Sequence, residues 1–344
     1  MASTTAITLK DGVQPDRALR ALAASGAIVG APPIEPDQIQ PASLDLRLGA
    51  VAYRLRASFL PGDARVVDRL DDGLVLHRLD LTQGAVLETG CVYLVPLLET
   101  LDLPSDVTGG ANPKSSTGRI DVFVRMVADG ATRFDAAPEG YSGPIYAEIS
   151  PRTFSILART GDRLLQLRLR KGPHAPTREL DFSLDLSPGG TDLCGYRAKR
   201  HSGVVDLMKI GGHAPKDYWE PVHARQGRIV LDPDEFYILA SNEKVVIPVD
   251  EAAEMAPIAP ELGEFRAHYA GFFDPGFGLN EGGGKAVLEV RSRDVPFILE
   301  HGQPVGRLVY EPMASAPETP YGAAGATSNY QGQGLKLSKH FGPA

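Results

Sequence analysis

Hydrophobic and polar positions alternate with a period of two along most of this chain. Ser43 to Leu48, Val92 to Pro96 and Arg163 to Leu169 each read as short strands on that pattern. Residues 16 to 29 differ. Their apolar side chains recur at helical spacing and meet a glycine near the end, which predicts one short amphipathic helix followed by the Pro-rich loop Ala31 to Pro36. With 28 prolines and 37 glycines interrupting short alternating runs, the pattern predicts a mainly β protein, a sandwich or barrel with few helices.

The chain also repeats itself. At an offset of 144, Val86 to Leu94 aligns with Val230 to Ile238, and the match continues through Glu99 with Glu243 and Pro104 with Pro248. At an offset of 141, Glu148 falls on Glu289, Leu157 on Ile298 and Gly161 on Gly302. Loop insertions account for the small drift between the offsets; chance similarity of β patterning is the alternative. The 344 residues exceed one ordinary core, given roughly 100 to 200 residues per domain. The expected division is residues 1–172 and 180–344, about the charged, Pro-containing stretch Lys171 to Glu179.

Composition narrows the function classes. Hydrophobic residues at 43% and charged residues at 23% are ordinary for a soluble globular protein. A net charge of −8 argues against a general nucleic-acid or acidic-membrane binder, so an anionic ligand needs a local cationic cluster. Cys91 and Cys194 are the only cysteines, too few for a disulfide framework or a four-thiolate zinc site, and both read as packed thiols. No signal-peptide pattern opens the sequence and no run of 18 apolar residues occurs, so a cytoplasmic location is expected.

Lys114-Ser115-Ser116-Thr117-Gly118-Arg119 gathers two cations, three hydroxyls and a glycine. Hydroxyls and backbone N–H groups donate to phosphate oxygens while cations neutralise them. It lacks the order of a Walker loop, and an exposed turn accounts for the same composition. Glu148 and Glu289 lie inside apolar strand patterns. Glu289 shares a face with Val287, and a carboxylate turned into a cavity there has the raised pKa of a general acid or base; a solvent-facing edge glutamate is the other reading. Ala270 to Phe277 has the form of a tight hairpin with Asp274-Pro275-Gly276 at its turn. The Gly-rich tail carries Tyr321, Tyr330, Gln331 and Gln333, and reads either as a lid that orders over a ligand or as a disordered terminus.

Together, Gln40 to Gly49, the Lys114 to Arg119 segment, Asp274 to Phe277, Val287 to Glu289 followed by Gly302 to Pro312, and Tyr330 to Gln333 resemble dCTP deaminase of the dUTPase-like superfamily, in a two-copy long form. The resemblance implies two tandem distorted β-barrels of the dUTPase-like, β-clip type after a short N-terminal helix. It also implies zinc-independent hydrolysis of dCTP to dUTP and ammonia, the work of a hydrolase acting on C–N bonds of cyclic amidines. A glutamate would activate the water that attacks cytosine C4. The His-x-Glu and Pro-Cys-x-x-Cys signature of the zinc deaminases does not occur.

Carried over residue by residue, the resemblance makes Glu289, Ser115 and Arg119 catalytic, with Glu148 a competitor for the glutamate's role. Lys114, Ser116, Asp274, Tyr321, Tyr330 and Gln333 would bind substrate, and Mg2+ would bridge the triphosphate. The first repeat keeps the phosphate segment but alters its hairpin, Phe134 to Tyr141, which reads as longer than the family form. The second keeps the hairpin, glutamate and tail but has Pro257 to Leu262 in place of the phosphate segment. A lysine stands at 114 where the family has arginine, and Asn329 where it has lysine. Family members assemble about a threefold axis, so a trimer-based homo-oligomer is expected, with dCTP and dUTP as ligands. Competing readings are a dUTP pyrophosphatase, a bifunctional deaminase and dUTPase, and a catalytically silent nucleotide-binding regulator. The tail lacks the arginine expected of a pyrophosphatase lid.

Overall fold

The computed structural model describes residues 8–256, 265–267, 271–292, 294–323 and 330–343. It is mainly β, and the same strand order occurs twice. Val75–Asp80, Val51–Leu55, Val92–Asp102, Ser142–Pro151 and Val122–Ala128 lie side by side in one antiparallel sheet; Trp219–His223, Leu193–Ala198, Phe236–Val245, Gly284–Ser292 and Phe265–Ala267 do so in another. The sequence offsets reappear in the register. Val86 pairs with Leu157 and Val230 with Ile298; Glu148 pairs with Leu94 and Glu289 with Ile238. Each half also carries a second sheet, built on Arg163–Lys171 in the first half and on Pro304–Pro312 in the second.

The helix is shorter than the periodicity predicts. It spans Asp16–Ser25 and ends because Gly26 adopts φ +85°, and Ile28–Gly30 then pairs with Val92–Asp102 as a strand. Leu44–Arg47 is a strand, as the alternation predicts, but both of its faces are buried. Leu44 and Leu46 enter the core, while Arg47 turns toward Glu99. Glu99 is 0% exposed and accepts from Arg47 Nε at 2.7 Å, Arg47 N at 2.8 Å and Gln38 Nε2 at 2.9 Å. Breaking such a pair leaves a buried charge uncompensated, a cost of about 3–5 kcal/mol. Cys194 is buried, its thiol pushed up to about 11 by desolvation, and Cys91 is half-buried; both are free.

The halves are joined by one continuous core and by buried polar links. Phe236, Ile238 and Val287 of the second half belong to the same apolar cluster as Phe154, Leu164 and Leu167 of the first. Arg168 reaches the carbonyls of Ala253 and Phe273 and packs 4.0 Å from the Phe272 ring centroid. Asn112 bonds both Glu254 and the Gly271 N–H, and Arg291 pairs with Asp121. The corresponding face of the first half, Val92, Leu94 and Tyr146, meets no second half. It is covered by the segment between Leu55 and Val75, whose Phe59, Val66, Leu70 and Leu74 form a small apolar cluster there. Among the described residues no helix is long and apolar enough to cross a membrane.

Candidate active site

The Val107–Pro113 strand runs directly into the Lys114 segment, and Ser115–Gly118 forms a single helical turn. Backbone bonds pin it: Lys114 N donates to Leu164 O at 2.9 Å and Thr117 Oγ1 to the same carbonyl at 3.1 Å. Ser116, Thr117 and Arg119 are buried. The segment is therefore held inside the molecule, unlike an exposed turn. The Lys114 ammonium bonds the Asp45 carboxylate, and Arg119 lies 3.9 Å from the Tyr330 ring centroid while its Nη1 donates to Lys336 O at 3.0 Å.

From the other half come Asp274 and the tail. Asp274 does not sit on a hairpin: Phe272–Phe273 pairs with Glu251–Ala256, and the turn after it leads into a different sheet. Phe277 N closes that turn on Asp274 O at 3.1 Å. Gly276 has φ +100° and a Cβ there would meet Tyr321 N and O at 2.8 Å, so the turn must lie against the tail backbone. Burial raises the Asp274 carboxyl and the neighbouring Arg168 guanidinium, at 3.5 Å, pulls it back. Tyr330 N donates to the Tyr321 hydroxyl at 3.1 Å, and burial pushes that phenol up to about 12. Gln333 Nε2 donates to Lys285 O at 3.1 Å.

These pieces enclose a cavity of about 100 Å3 lined by Lys114, Ser115, Ser116, Arg119, Asp274, Tyr321, Tyr330 and Gln333, with Val287 and Phe273 on its apolar side. Glu289 is 1% exposed and lies two residues along the strand from Val287; burial raises the Tyr330 phenol, and the Glu289 charge nearby adds a smaller push in the same direction. Eight of the ten residues singled out in the sequence thus line one cavity within a single chain.

Glu148 is elsewhere. It bonds Arg125, whose guanidinium stacks 3.5 Å from the Phe134 ring centroid, and it faces a separate cleft with Ser58, Phe123 and Arg152. The altered hairpin explains part of this divergence. Its strand Ala136–Ala137 holds the register that Phe272–Phe273 holds in the second half, which puts Pro138 where Asp274 stands; the two turns correspond position by position, so the first is not the longer. Pro257 to Leu262 and Asn329 lie outside the described residues.

The structure adds residues that sequence reasoning missed. Asp45, Gln40 and Gln166 line the same cavity, and Lys339 and Arg163 border an adjoining one. In the sequence Asp45 lies on the polar face of the alternating Ser43 to Leu48 run, and it is the structure that shows that face buried as well. Lys339 gave no signal, because a single lysine in a short tail has no periodicity to depart from. Among the described residues no three His, Cys, Asp or Glu side chains gather as metal ligands.

The chain is mainly β and closes a polar cavity between its halves, lined by both cations and carboxylates; comparison with known proteins identifies its class. The family model for the 2'-deoxycytidine 5'-triphosphate deaminase N-terminal domain matches residues 10–173, and that for the C-terminal domain matches residues 160–341. The chain is 32% identical over 165 residues to a dCTP deaminase, dUMP-forming, of Methanothermobacter thermautotrophicus, an alignment covering 46% of this chain and 78% of that protein. It is 36% identical over 156 residues to the protein of the same description in Corynebacterium glutamicum, covering 43% of this chain and 78% of the relative. A crystal structure of 2'-deoxycytidine 5'-triphosphate deaminase from Agrobacterium tumefaciens superposes with a TM-score of 0.86 at 53% identity, covering 90% of this chain and all of that one. The chain belongs to the 2'-deoxycytidine 5'-triphosphate deaminase family.

Proposed function

We propose that this chain deaminates dCTP hydrolytically, releasing ammonia and dUTP, at the cavity between its halves. One observation carries the reading: residues separated by more than 150 positions, Ser115 and Arg119 on one side and Asp274, Tyr330 and Gln333 on the other, line one enclosed space. Glu289 acts as general base on the water that adds to cytosine C4. It then delivers that proton to the exocyclic nitrogen, so that the C–N bond breaks and ammonia leaves, while the proton of the new C4 hydroxyl passes to N3 as the C4 carbonyl forms. Ser115 and Arg119 hold the water and the developing charge at C4, Asp274 and its turn orient the nucleoside, and Lys114 and Ser116 meet the phosphates. Tyr321, Tyr330 and Gln333 close over the nucleotide and keep bulk water out.

Mg2+, where bound, would be held by the nucleotide's phosphate oxygens and would offset their charge. Asp45 is bonded to Lys114, Asp37 to Arg163 and Asp162 to the Arg159 N–H, so the nearby carboxylates are engaged by protein groups. That donor set fits a cation held by phosphate oxygens, whose charge it partly neutralises.

A second reading has a specific observation behind it, because the curated relatives described above are named dUMP-forming. In it the same site also cleaves the nucleotide's phosphoanhydride and releases pyrophosphate. Incubating the protein with dCTP, Mg2+ and a transition-metal chelator and separating the products decides between them. The proposal requires ammonia and dUTP in equal amounts; ammonia with dUMP and pyrophosphate establishes the second reading. Bound dCTP without ammonia refutes both.

A further inference from the structure

Beside the site lies an annexe of about 290 Å3, which shares Gln40, Asp45, Lys114 and Ser116 with the first cavity and continues to Arg163, Lys339 and His340. Three cations border it, and two are compensated. Lys114 bonds Asp45, and Arg163 bonds Asp37 at 3.0 Å and also Glu35. The Lys339 ammonium has no hydrogen-bond or ion-pair partner among the described residues, although it is half-buried. Desolvation and the Lys114 charge push its pKa down against the opposing pull of Asp45 and Asp162, carboxylates that line the annexe but are bonded to other groups.

The backbone of Lys339, unlike its ammonium, is held by hydrogen bonds. Its N–H donates to the Tyr330 hydroxyl at 3.2 Å and its carbonyl accepts from Gly211 N at 2.9 Å. On one side Ser338 Oγ donates to Ser116 O at 2.8 Å; on the other His340 O accepts from His213 N and Phe341 is buried among aromatic rings. A lone ammonium so placed, next to the Lys114 and Ser116 end of the cavity, is preorganised for an anion that extends past those residues. A monophosphate held by Lys114 and Ser116 does not extend that far; a polyphosphate tail does.

We propose that Lys339 is a further substrate-binding residue, which grips the distal phosphates of the nucleotide and makes the protein prefer a triphosphate to a monophosphate. This rests on the reading that the cavity takes dCTP. The test uses the full-length chain and the variants Lys339→Gln and Lys339→Arg, with two readouts. In turnover, Lys339→Gln raises the KM for dCTP by roughly 10- to 100-fold, the effect of losing one charge-assisted hydrogen bond. The same variant changes the KM for dCMP and the kcat for dCTP little, and Lys339→Arg restores most of the preference. In calorimetry with inorganic tripolyphosphate and Mg2+, binding to the wild type weakens by a similar factor in Lys339→Gln. Equal loss for dCTP and dCMP, or tripolyphosphate bound alike by wild type and Lys339→Gln, overturns the proposal. Lys339-dependent tripolyphosphate binding in a protein that turns over no dCTP upholds the annexe while sinking the deaminase reading.

Discussion

Replacing Phe341 by alanine should open the C-terminal strap without unfolding the body it lies on. Phe341 is 6% exposed, with ring centroids of Tyr218, Trp219, His213 and Phe154 at 5.2, 5.7, 6.1 and 6.3 Å. Truncating a phenylalanine so packed costs about 3–5 kcal/mol. Farther along the strap, Arg119 Nη1 holds Lys336 O, Gln333 bonds Lys285 O and Leu337 is buried in the core; around the ring itself four hydrogen bonds remain, Gly211 N to Lys339 O, His213 N to His340 O, Gly342 N to His213 O, and Ser338 Oγ to Ser116 O. At about 1 kcal/mol net each, they supply only about as much as the lost ring. A loss of ~3 kcal/mol raises the ratio of open to closed strap by roughly 10²-fold. Hydrogen exchange should show Gly211, His213, Phe341 and Gly342 exchanging faster by about that factor, with Val92–Asp102 and Ser142–Pro151 unchanged. Because the open state lacks Tyr330 and Lys339 at the site, the KM for dCTP rises as the closed fraction falls. Uniform acceleration across both halves, or an open strap with an unaltered KM, would refute the reasoning.

Three further outcomes follow from the same geometry. Glu99→Ala strands the buried Arg47 and should lower unfolding stability by about 3–5 kcal/mol in urea titrations followed by circular dichroism; a loss under 1 kcal/mol contradicts the pairing. His340 is buried and its imidazole is pushed down to about 4, against roughly 6.5 when the strap is detached, so between those values the detached strap binds the extra proton. Strap closure is therefore fully supported above about pH 6.5 and loses up to ~3 kcal/mol as pH falls toward 4, seen as a rising KM for dCTP that His340→Gln should flatten. Arg168→Met removes the guanidinium that opposes the upward shift of Asp274, so the acid limb of kcat/KM should move to higher pH, with partial return in Arg168→Lys; an unmoved limb would show that the ionisation of Asp274 does not matter.

Much of this was legible in the residues because the chain repeats. The strand offsets around Leu94 and Ile238 reappear in the pairing register, since a slip of one residue would turn every apolar side chain to the wrong face. Asp274, Tyr321, Tyr330 and Gln333 stood out as specific side chains among small residues, and the cavity gathers them. What periodicity could not convey was which faces meet. Glu148 and Glu289 occupy the same place in equivalent strands, yet Arg125 engages the first and the segment around Phe59 and Leu70 covers the face beside it. The face of the second half carrying Val287 packs on the first half instead. Those differences arise between elements distant in sequence. The helix overran its end for a local reason, because the apolar residues after Gly26 belong to a strand.

The most direct test of the account compares dCTP turnover by the wild type, Glu289→Gln and Glu148→Gln, following ammonia release in Mg2+. The account predicts a loss of at least roughly 10²-fold in Glu289→Gln, as expected for removal of a general base, and near wild-type rates in Glu148→Gln. Loss confined to Glu148→Gln would contradict it and move the reaction to the cleft around Arg125.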